Sequence, residues 1–535
     1  MTFEYLDWIV VGLYFAVLLG IAAWVARQGQ QTATDYFLAG RHVGWFAIGA
    51  SLFASNIGSE HVVGLAGSGA STGVVLGHYE LHSWIILLLG WVFVPFYLRS
   101  GVFTMPEFLE RRYDDRSRWF LSVVMIVGYI LTKVSVTVYA GGVMLQGLIG
   151  LDFWTGAATI VVLTGVYTIL GGLRAVVYTE ALQAFVLVGG SAAVTGFGLI
   201  EIGGWHELRQ AIGSESFDMW KPLNDPEFPW LGMVLTPPIV GIWYWCTDQY
   251  IVQRVLAAEN ETVARRGAIW GAYLKLTAIF LFIVPGMIAL GLANRGQLDL
   301  TTPDQALPVL VSVVLPTGLR GLVAAGLLAA LMSSLAAVFN SCSTLFTMDL
   351  YRLLYPTASQ TRLVRVGRIG TGVVVGLGIA WIPIMRSLSS ELYTYLQNVQ
   401  AYIAPPIAAV FLLGLLWKRA NGTGAICTLV FGFVAGMTKL LLELRHDTVS
   451  GPLAWIANVN FLYFGFALFV VCVAVLCIVS LLTLPPETER LAGLTFATSG
   501  SKNDVQRGRT WSIMDLVHSA VIVAIVMAVM AYFTG

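Results

Sequence analysis

The sequence predicts an all-α integral membrane protein with about fourteen transmembrane helices, arranged as a five-plus-five inverted repeat with two broken helices. Three observations carry this prediction: the composition, the apolar segments, and two polar interruptions at matching places. The chain has 535 residues, of which 57% are hydrophobic and 11% are charged, and its mean hydropathy is +0.78. Globular chains carry about 25% charged residues. The composition therefore excludes a large soluble protein.

Hydropathy gives about fourteen segments long enough to span a bilayer. They are centred near residues 17, 58, 87, 135, 162, 189, 243, 279, 333, 374, 405, 434, 470 and 522. If the N-terminus is outside, the cytoplasmic loops and their flanks hold 21 lysines and arginines, and the outer ones hold 7. This bias satisfies the positive-inside rule. It predicts a multi-pass protein of the cell membrane with both termini on the extracytoplasmic side.

The second segment is interrupted at its centre. Residues 44–73 are otherwise apolar, but the stretch from Ser51 to His61 contains Ser, Asn, Gly and Glu. In hydrocarbon every backbone N–H and C=O needs a partner, so irregular backbone is tolerated only where it lines a site. The seventh segment is interrupted in the same way between Trp243 and Gln249. Because the two lie five segments apart, they would have opposite orientations, which indicates an inverted-repeat transporter.

This layout divides the chain into four parts. Residues 1–30 would form a peripheral first helix, and residues 43–200 the first repeat, with helices 2–6. Residues 230–416 would form the second repeat, with helices 7–11, and residues 424–535 the peripheral helices 12–14. No connection is long enough to fold as a separate soluble domain.

Segment 9 presents two hydroxyls on one helix face. Ala330, Ser333 and Ser334 stand at positions i, i+3 and i+4, which share a face. Two hydroxyls beside a carbonyl freed from its helix suit a hard cation that prefers oxygen ligands. As an alternative, membrane serines bond back to their own helix or join neighbouring helices. In combination with the broken second segment, the arrangement favours sodium.

Charged and amide side chains within the spans are candidates for a solute site. Glu80 begins segment 3, where a salt bridge or a place near the interface is the alternative. Lys275 lies within segment 8, without a nearby interface to which it could extend, and needs an acceptor. Asn56, His61 and Gln397 add hydrogen-bonding groups without net charge. Such a set suits a neutral, hydroxyl-rich solute.

Three aromatic side chains could cover the C–H face of a sugar ring: Tyr79, Tyr244 and Trp245. Tyr and Trp residues of membrane proteins are more often found in the interfacial belts. Residues 243–245 lie in the middle of a span, however, which favours a role in a site.

Long stretches of the chain resemble the sodium/glucose cotransporters of the solute:sodium symporter family. The similarity extends from Asp35–Arg41 to the last helix. The motifs that carry it are Gly49–Gly69, Thr104–Leu109, Tyr167 with Gly171–Gly172, Trp243–Gln249, Ile251–Arg254, Ser333–Leu335 with Asn340–Ser341, Thr344–Tyr351 and Ala404–Arg419. These motifs are long and specific, and they cover nearly the whole chain.

The resemblance implies a LeuT-like fold of fourteen helices with one sodium site. The family's sodium ligands fall on the carbonyls of Ala54, Ile57 and Ala330 and on the hydroxyls of Ser333 and Ser334. Relatives with a second sodium site need hydroxyls where this chain has Ala336 and Ala337, so we expect one sodium ion per cycle, as coupling ion and cargo. Glu180 stands where the family usually has Asp.

The resemblance also implies the cargo. The family's sugar-contacting positions fall on Asn56, His61, Glu80, Lys275 and Gln397, with Tyr244 and Trp245 on the inner side. A polar contact of some bacterial members falls on Gly241, so that contact is expected to be absent. We expect a sodium-coupled secondary active symporter that imports a glucose- or galactose-like hexose by alternating access. Inositol or an organic acid is the alternative cargo, although the charges of Lys275 and Glu80 cancel and favour a neutral solute.

Other classes of protein have less support. An enzyme would need a nucleophile–base pair, for which His61 and Glu80 could serve, but no HExxH, GxSxG or Asp-rich motif accompanies them. A channel would need rings of carbonyls or charges. The basic residues form no patch for nucleic acid. The expected partners are therefore sodium, a small solute and the lipid bilayer, with no obligate protein partner, and no enzymatic activity is expected.

Overall fold

Helices make up nearly all of the regular structure. The computed structural model describes residues 4–28, 32–58, 60–385, 392–445, 450–498 and 510–535. The main helices in these ranges are α1 (Tyr5–Arg27), α2 (Trp45–Asn56), α3 (Leu65–Ser71), α4 (Gly77–Ser100), α5 (Asp115–Gly128, continued by Tyr129–Val134 and Ser135–Ile149), α6 (Phe153–Ile202), α7 (Trp230–Gly241), α8 (Gln249–Leu256), α9 (Glu261–Asn294), α10 (Leu319–Leu354), α11 (Gln360–Met385), α12 (Leu392–Leu416), α13 (Gly422–Leu444), α14 (Phe461–Leu482) and α15 (Ile513–Tyr532). The predicted all-helical class is confirmed.

Within the described ranges, eleven helices are long and apolar enough to cross a membrane. The two regions predicted as broken helices are not among them, because each is divided into shorter pieces. Segments 5 and 6, expected as separate helices, form the 50-residue α6, which is kinked at Gly172 with φ +54°. Glycine adopts a positive φ at little cost because it has no Cβ.

The first broken helix is interrupted at the predicted place. α2 ends at Asn56, and Ile57 takes an extended conformation with φ −80° and ψ 100°. The chain becomes helical again at Glu60, in a π-helical turn that leads into α3. The carbonyl of Gly58 accepts the N–H groups of His61 and Val62 at 3.1 and 3.2 Å, which supplies the second piece with its first hydrogen bonds.

The second broken helix is interrupted at Asp248. α7 contains Pro237 and Pro238, which lack the N–H needed to continue a regular ladder. A π-helical turn, Ile242–Thr247, follows, and Asp248 is extended with φ −79° and ψ 128° before α8 begins. The Asn56 amide, at the end of α2, donates to the Tyr244 hydroxyl at 2.9 Å. The two interruptions therefore meet in space.

The second piece of the first broken helix, α3, crosses α9 at very close range. A Cβ atom on Gly286 would lie 1.8 Å from the carbonyl oxygen of Ala66, and one on Gly69 would lie 2.2 Å from that of Ile283. Small residues at such crossings let helix backbones approach in a membrane. The position of α3, and of the residues before it, is thus fixed by backbone-to-backbone packing.

The two ends of the chain contact connections that also contact each other. Asp7 Oδ1 accepts the N–H groups of Gly318 and Gly321 at 2.7 and 2.9 Å, beside the connection from α9 to α10. Thr534 forms a β-bridge with Asp218, in the connection from α6 to α7. These connections are joined by Asn294, whose amide donates to the carbonyl of residue 211 at 3.1 Å. Both termini therefore lie on the same side of the helices.

Candidate functional site

A cavity lies where the two broken helices meet. Its lining residues are Asn56, Glu60, His61, Tyr79, Glu80, His82, Lys133, Val240, Gly241, Tyr244, Trp245, Lys275, Leu396, Gln397 and Gln400. The cavity volume is about 30 Å³, well below the ~300–1,000 Å³ typical of small-molecule sites, so a solute can be held here only when the wall moves apart. The structure brings together all eight residues that the sequence nominated for the solute, which come from five separate regions of the chain.

Lys275 and Glu80 form a tight ion pair in the wall of this cavity. Lys275 Nζ donates to Glu80 Oε2 at 2.6 Å and to Asn56 Oδ1 at 2.7 Å. Both charged side chains are almost completely buried, at 2% and 1% exposure. A buried charge is costly unless it is paired and hydrogen-bonded. The acceptor that Lys275 was expected to need is therefore supplied by α4 and by the end of α2.

His61 and the aromatic side chains of Tyr244 and Trp245 form another part of the cavity wall. His61 Nε2 lies 3.5 Å from Asn56 Nδ2 and 3.7 Å from Glu80 Oε1. The ring of Trp245 lies 5.8 Å from Lys275 Nζ, and Tyr244 stacks edge-on against Trp245 with 5.2 Å between ring centroids. Both rings are buried, so they offer an apolar face beside the charged groups.

Three buried polar atoms in the wall have no hydrogen-bond partner among the described residues. They are Tyr79 Oη, His82 Nε2 and Gln397 Oε1. Buried polar groups are almost always satisfied, because leaving one unpaired costs about 1–3 kcal/mol. Atoms of this kind around one cavity are suited to bind the hydroxyl groups of a solute.

His82 was not nominated from the sequence. A Cβ atom on Gly241 would lie 3.0 Å from the imidazole of His82, so the absence of a side chain at position 241 leaves room for that ring. The sequence predicted that Gly241 would make no polar contact, but it did not predict that a neighbouring side chain would supply a polar atom there. The imidazole of His82 occupies the neighbouring space and brings its own polar atom to the wall.

Glu60 and Lys133 were also missed. Lys133 Nζ lies 3.6 Å from Glu60 Oε1, and it lies 5.0 Å from the centroid of the Tyr244 ring. Glu60 Oε1 is also 3.8 Å from His61 Nδ1. Both residues could have been nominated from the sequence, because each is a charged residue within a membrane span. Which groups they meet could not be known from the sequence, because they belong to different helices.

The residues nominated for sodium converge beside the first break. The hydroxyl of Ser333 donates to the carbonyls of Ala54 at 2.8 Å and Ala330 at 3.0 Å. The hydroxyl of Ser334 lies 3.4 Å from the carbonyl of Ile57. Five oxygen atoms from α2, Ile57 and α10 thus form two hydrogen-bonded groups, one on Ser333 and one on the adjacent Ser334. All five residues are buried, so these oxygens are shielded from solvent.

A buried charge network lies against this oxygen cluster. Glu180 accepts hydrogen bonds from Ser51 and Ser55, the latter at 2.9 Å, and pairs with Arg254 at 2.8 Å. All four side chains are 0–1% exposed. Ser51 and Ser55 are in α2, Glu180 is in α6 and Arg254 is in α8. The network therefore fixes the end of α2 to both neighbouring helices, just before its carbonyls reach the cluster.

Known proteins share both the sequence and the fold. The chain is 38% identical over 540 residues to sodium/glucose cotransporter 1 of Oryctolagus cuniculus, covering 92% of this chain and 81% of that protein. It is 39% identical over 533 residues to sodium/myo-inositol cotransporter 2 of the same species, covering 92% and 79%. These relatives are transporters.

Two solved structures share the fold. One is a Na⁺-coupled sialic acid symporter in a substrate-bound outward-open state, with a TM-score of 0.78 at 22% identity, covering 91% of this chain and all of that one. The other is a nucleobase-cation-symport-1 family transporter in a closed conformation, with a TM-score of 0.53 at 14% identity, covering 86% and 98%. A sequence model of the sodium:solute symporter family matches residues 36–432. The chain belongs to the sodium:solute symporter family.

Proposed function

We propose that the protein uses sodium to import a neutral, hydroxyl-rich hexose such as glucose or galactose by alternating access. The observation that carries this proposal is the cavity wall, in which a neutral ion pair and three unpartnered polar atoms surround one space. Hydroxyl groups both donate and accept hydrogen bonds, so they can satisfy all of these atoms. The sodium/glucose cotransporters among the relatives support the same substrate class.

The proposed sugar-binding residues are Asn56, His61, Tyr79, Glu80, Tyr244, Trp245, Lys275 and Gln397. Glu80 and Lys275 would make charge-assisted hydrogen bonds, which are about twice as strong as neutral ones. Tyr244 and Trp245 would cover the C–H face of the ring. The cancelling charges of the pair favour a neutral solute over an anion.

The proposed sodium ligands are the carbonyls of Ala54, Ile57 and Ala330 and the hydroxyls of Ser333 and Ser334. We propose one sodium ion per cycle. Ala336 and Ala337, one turn further along α10, offer no hydroxyl for a second site. A reversal-potential measurement of the coupling ratio tests this stoichiometry, and a ratio of two would contradict it.

Coupling would arise because the ion and the solute bind neighbouring residues of one broken helix. The carbonyls of Ala54 and Ile57 would bind sodium, while the side chains of Asn56 and His61 bind the sugar. Sodium would fix the end of α2 against α10 and thereby order the sugar ligands. The coupling is reciprocal, so sugar would raise sodium affinity by the same factor. A membrane potential of 100 mV adds roughly 2.3 kcal/mol for each charge moved inward.

We also propose fourteen membrane spans. The count adds to the eleven unbroken helices the two broken ones and a further span from the kink of α6 at Gly172. Residues 43–200 and 230–416 would then form the two inverted repeats, flanked by residues 1–30 and 424–535. Both termini would be extracytoplasmic, which the bias of basic residues and the shared side of the two ends support.

Inositol is the alternative cargo, because a sodium/myo-inositol cotransporter is as similar to this chain as the glucose cotransporter is. The test is uptake of labelled glucose into proteoliposomes, with and without a sodium gradient, in competition with galactose, mannose and myo-inositol. We expect sodium-dependent uptake, with the strongest competition from galactose. Uptake of labelled myo-inositol is measured in the same way. If glucose is not taken up and myo-inositol is, the alternative is correct; if neither uptake depends on sodium, the proposal is wrong.

A further inference from the structure

Glu60 and Lys133 form a second buried pair of charges in the cavity wall. Their side chains are 5% and 9% exposed, and Lys133 Nζ lies 3.6 Å from Glu60 Oε1. Charged groups within a membrane are costly and are generally found where they bind a ligand or one another. This pair is 1.0 Å longer than the pair of Lys275 and Glu80, at 2.6 Å, and it lies beside the same space.

The two pairs are connected into a closed ring of polar groups. On one side, Lys133 lies 3.6 Å from Glu60, Glu60 lies 3.8 Å from His61, and His61 lies 3.7 Å from Glu80. On the other side, Glu80 lies 2.6 Å from Lys275, Lys275 lies 2.7 Å from Asn56, and Asn56 lies 2.9 Å from Tyr244. The centroid of the Tyr244 ring lies 5.0 Å from Lys133 Nζ, which closes the circle. The ring of polar groups holds two ammonium groups and two carboxylates. Each of the two ion pairs therefore presents one positive and one negative charge, and the ring has no net charge.

We propose that Glu60 and Lys133 determine substrate specificity by binding a second hydroxyl edge of the sugar. The substrate would then be a cyclic polyol with hydroxyls on both sides of its ring, held by Lys275 and Glu80 at one edge and by Lys133 and Glu60 at the other. This inference rests on the proposed function of the same cavity. A bridging hydroxyl accepts a hydrogen bond from the Lys133 ammonium and donates one to the Glu60 carboxylate.

The longer pair is the one that a hydroxyl can enter at lower cost. Separating Lys275 from Glu80 would break a hydrogen bond of 2.6 Å, whereas at 3.6 Å the contact of Lys133 with Glu60 is mainly electrostatic. Polar groups at such separations are often bridged by a third polar group. An anionic or cationic substituent on the substrate would meet a like charge in either pair. The ring therefore selects for uncharged hydroxyl groups.

The test uses the double variant Glu60→Leu/Lys133→Met. It removes both charges together, because a single change would leave the other charge buried without this counter-charge. Purified full-length protein in proteoliposomes is given a sodium gradient and a labelled parent sugar, chosen as whichever of glucose, galactose or myo-inositol the wild type takes up. Monodeoxy analogues of that parent are used as competitors. The matched control is Glu207→Leu/Arg295→Met, which removes an ion pair of 2.7 Å that is far more exposed to solvent.

We expect the double variant to bind the parent about tenfold or more weakly, since one charge-assisted hydroxyl contact is lost. The monodeoxy analogue that lacks the hydroxyl bound by Glu60 and Lys133 should bind the wild type and the variant equally. In the variant, this analogue and the parent should therefore have the same affinity. The affinities of the other analogues should fall by the same factor as that of the parent. The control should change none of these ratios. If the variant weakens the parent and every analogue by the same factor, or weakens none, the pair is only structural and the inference is overturned. If the wild type takes up no parent sugar in a sodium-dependent way, the proposed function itself fails.

Discussion

The hydroxyl of Ser333 donates to the carbonyl of Ala54 at 2.8 Å, although 279 residues of chain separate them. The contact joins α10 to the last turn of α2, the first piece of the first broken helix. Ala54 lies two residues before Asn56, whose side chain faces the cavity. In the proposed mechanism, an ion bound beside Ser333 and Ala54 would therefore affect a solute bound by Asn56 through two residues of backbone.

Replacement of Ser334 by alanine is expected to abolish sodium-dependent uptake at ordinary sodium concentrations. The variant loses one of five gathered oxygens, and changes at metal sites commonly lower affinity by about tenfold or more. The half-saturating sodium concentration of sugar uptake in proteoliposomes measures the effect. The matched control is Ser343→Ala, in the same helix, whose hydroxyl donates to Gly367 at 2.6 Å instead. Unchanged sodium dependence in Ser334→Ala would falsify the assignment of the sodium site.

Replacement of Gln397 by alanine is expected to weaken sugar binding without destabilising the protein. The side-chain carbonyl of Gln397 has no hydrogen-bond partner among the described residues, so truncation there removes little that stabilises the fold. We expect the KM for sugar to rise about fivefold to tenfold, the equivalent of roughly 1 kcal/mol or more. Uptake kinetics and a thermal-unfolding midpoint should be measured together. An unchanged KM would show that Gln397 does not contact the sugar, and a large fall in the midpoint would show that it has a structural role. The control is Gln210→Ala, at an exposed position.

Replacement of Gly286 by alanine is expected to force α3 and α9 apart. The added Cβ would lie 1.8 Å from the carbonyl oxygen of Ala66, and backbone cannot move aside as a flexible side chain can. Overpacking of this kind typically costs about 1–3 kcal/mol. Thermal unfolding of the detergent-solubilised protein measures the loss. Gly20→Ala is the control, because a Cβ there meets nothing within 4 Å. Equal midpoints for the two variants would contradict the close crossing.

The pair of Arg254 and Glu180 offers a test of the network behind the sodium site. Arg254→Met should be strongly destabilising, by about 3–5 kcal/mol, because it leaves the Glu180 carboxylate buried without its cation. Arg254→Met combined with Glu180→Gln should recover much of that loss, since no unpaired charge remains. Thermal-unfolding midpoints of the two single variants and the double variant give the coupling. Additive losses would mean that the two side chains do not interact as the geometry indicates.

The amino-acid sequence alone determined the class of the protein and the places where its helices break. Hydropathy and composition reflect the cost of exposing polar backbone to lipid, which applies residue by residue along the chain. The residues from Ser51 to His61 were therefore visible as an interruption. The resemblance to sodium/glucose cotransporters indicated which other residues are expected to share a solute site with Asn56 and His61. The two serines of α10 were visible as one helix face.

Only the tertiary structure decided which polar groups share the cavity. Lys133 and Glu60 are 73 positions apart in the sequence and lie on different helices. The sequence carries no signal for the partner that a charge within a span meets. The orientation of His82 beside Gly241 likewise depends on how two helices pack. Contacts of this kind are set by the crossing of helices, which local periodicity does not encode. The sequence thus determined where polar groups enter the membrane, and the packing of the helices decided that they form one closed ring.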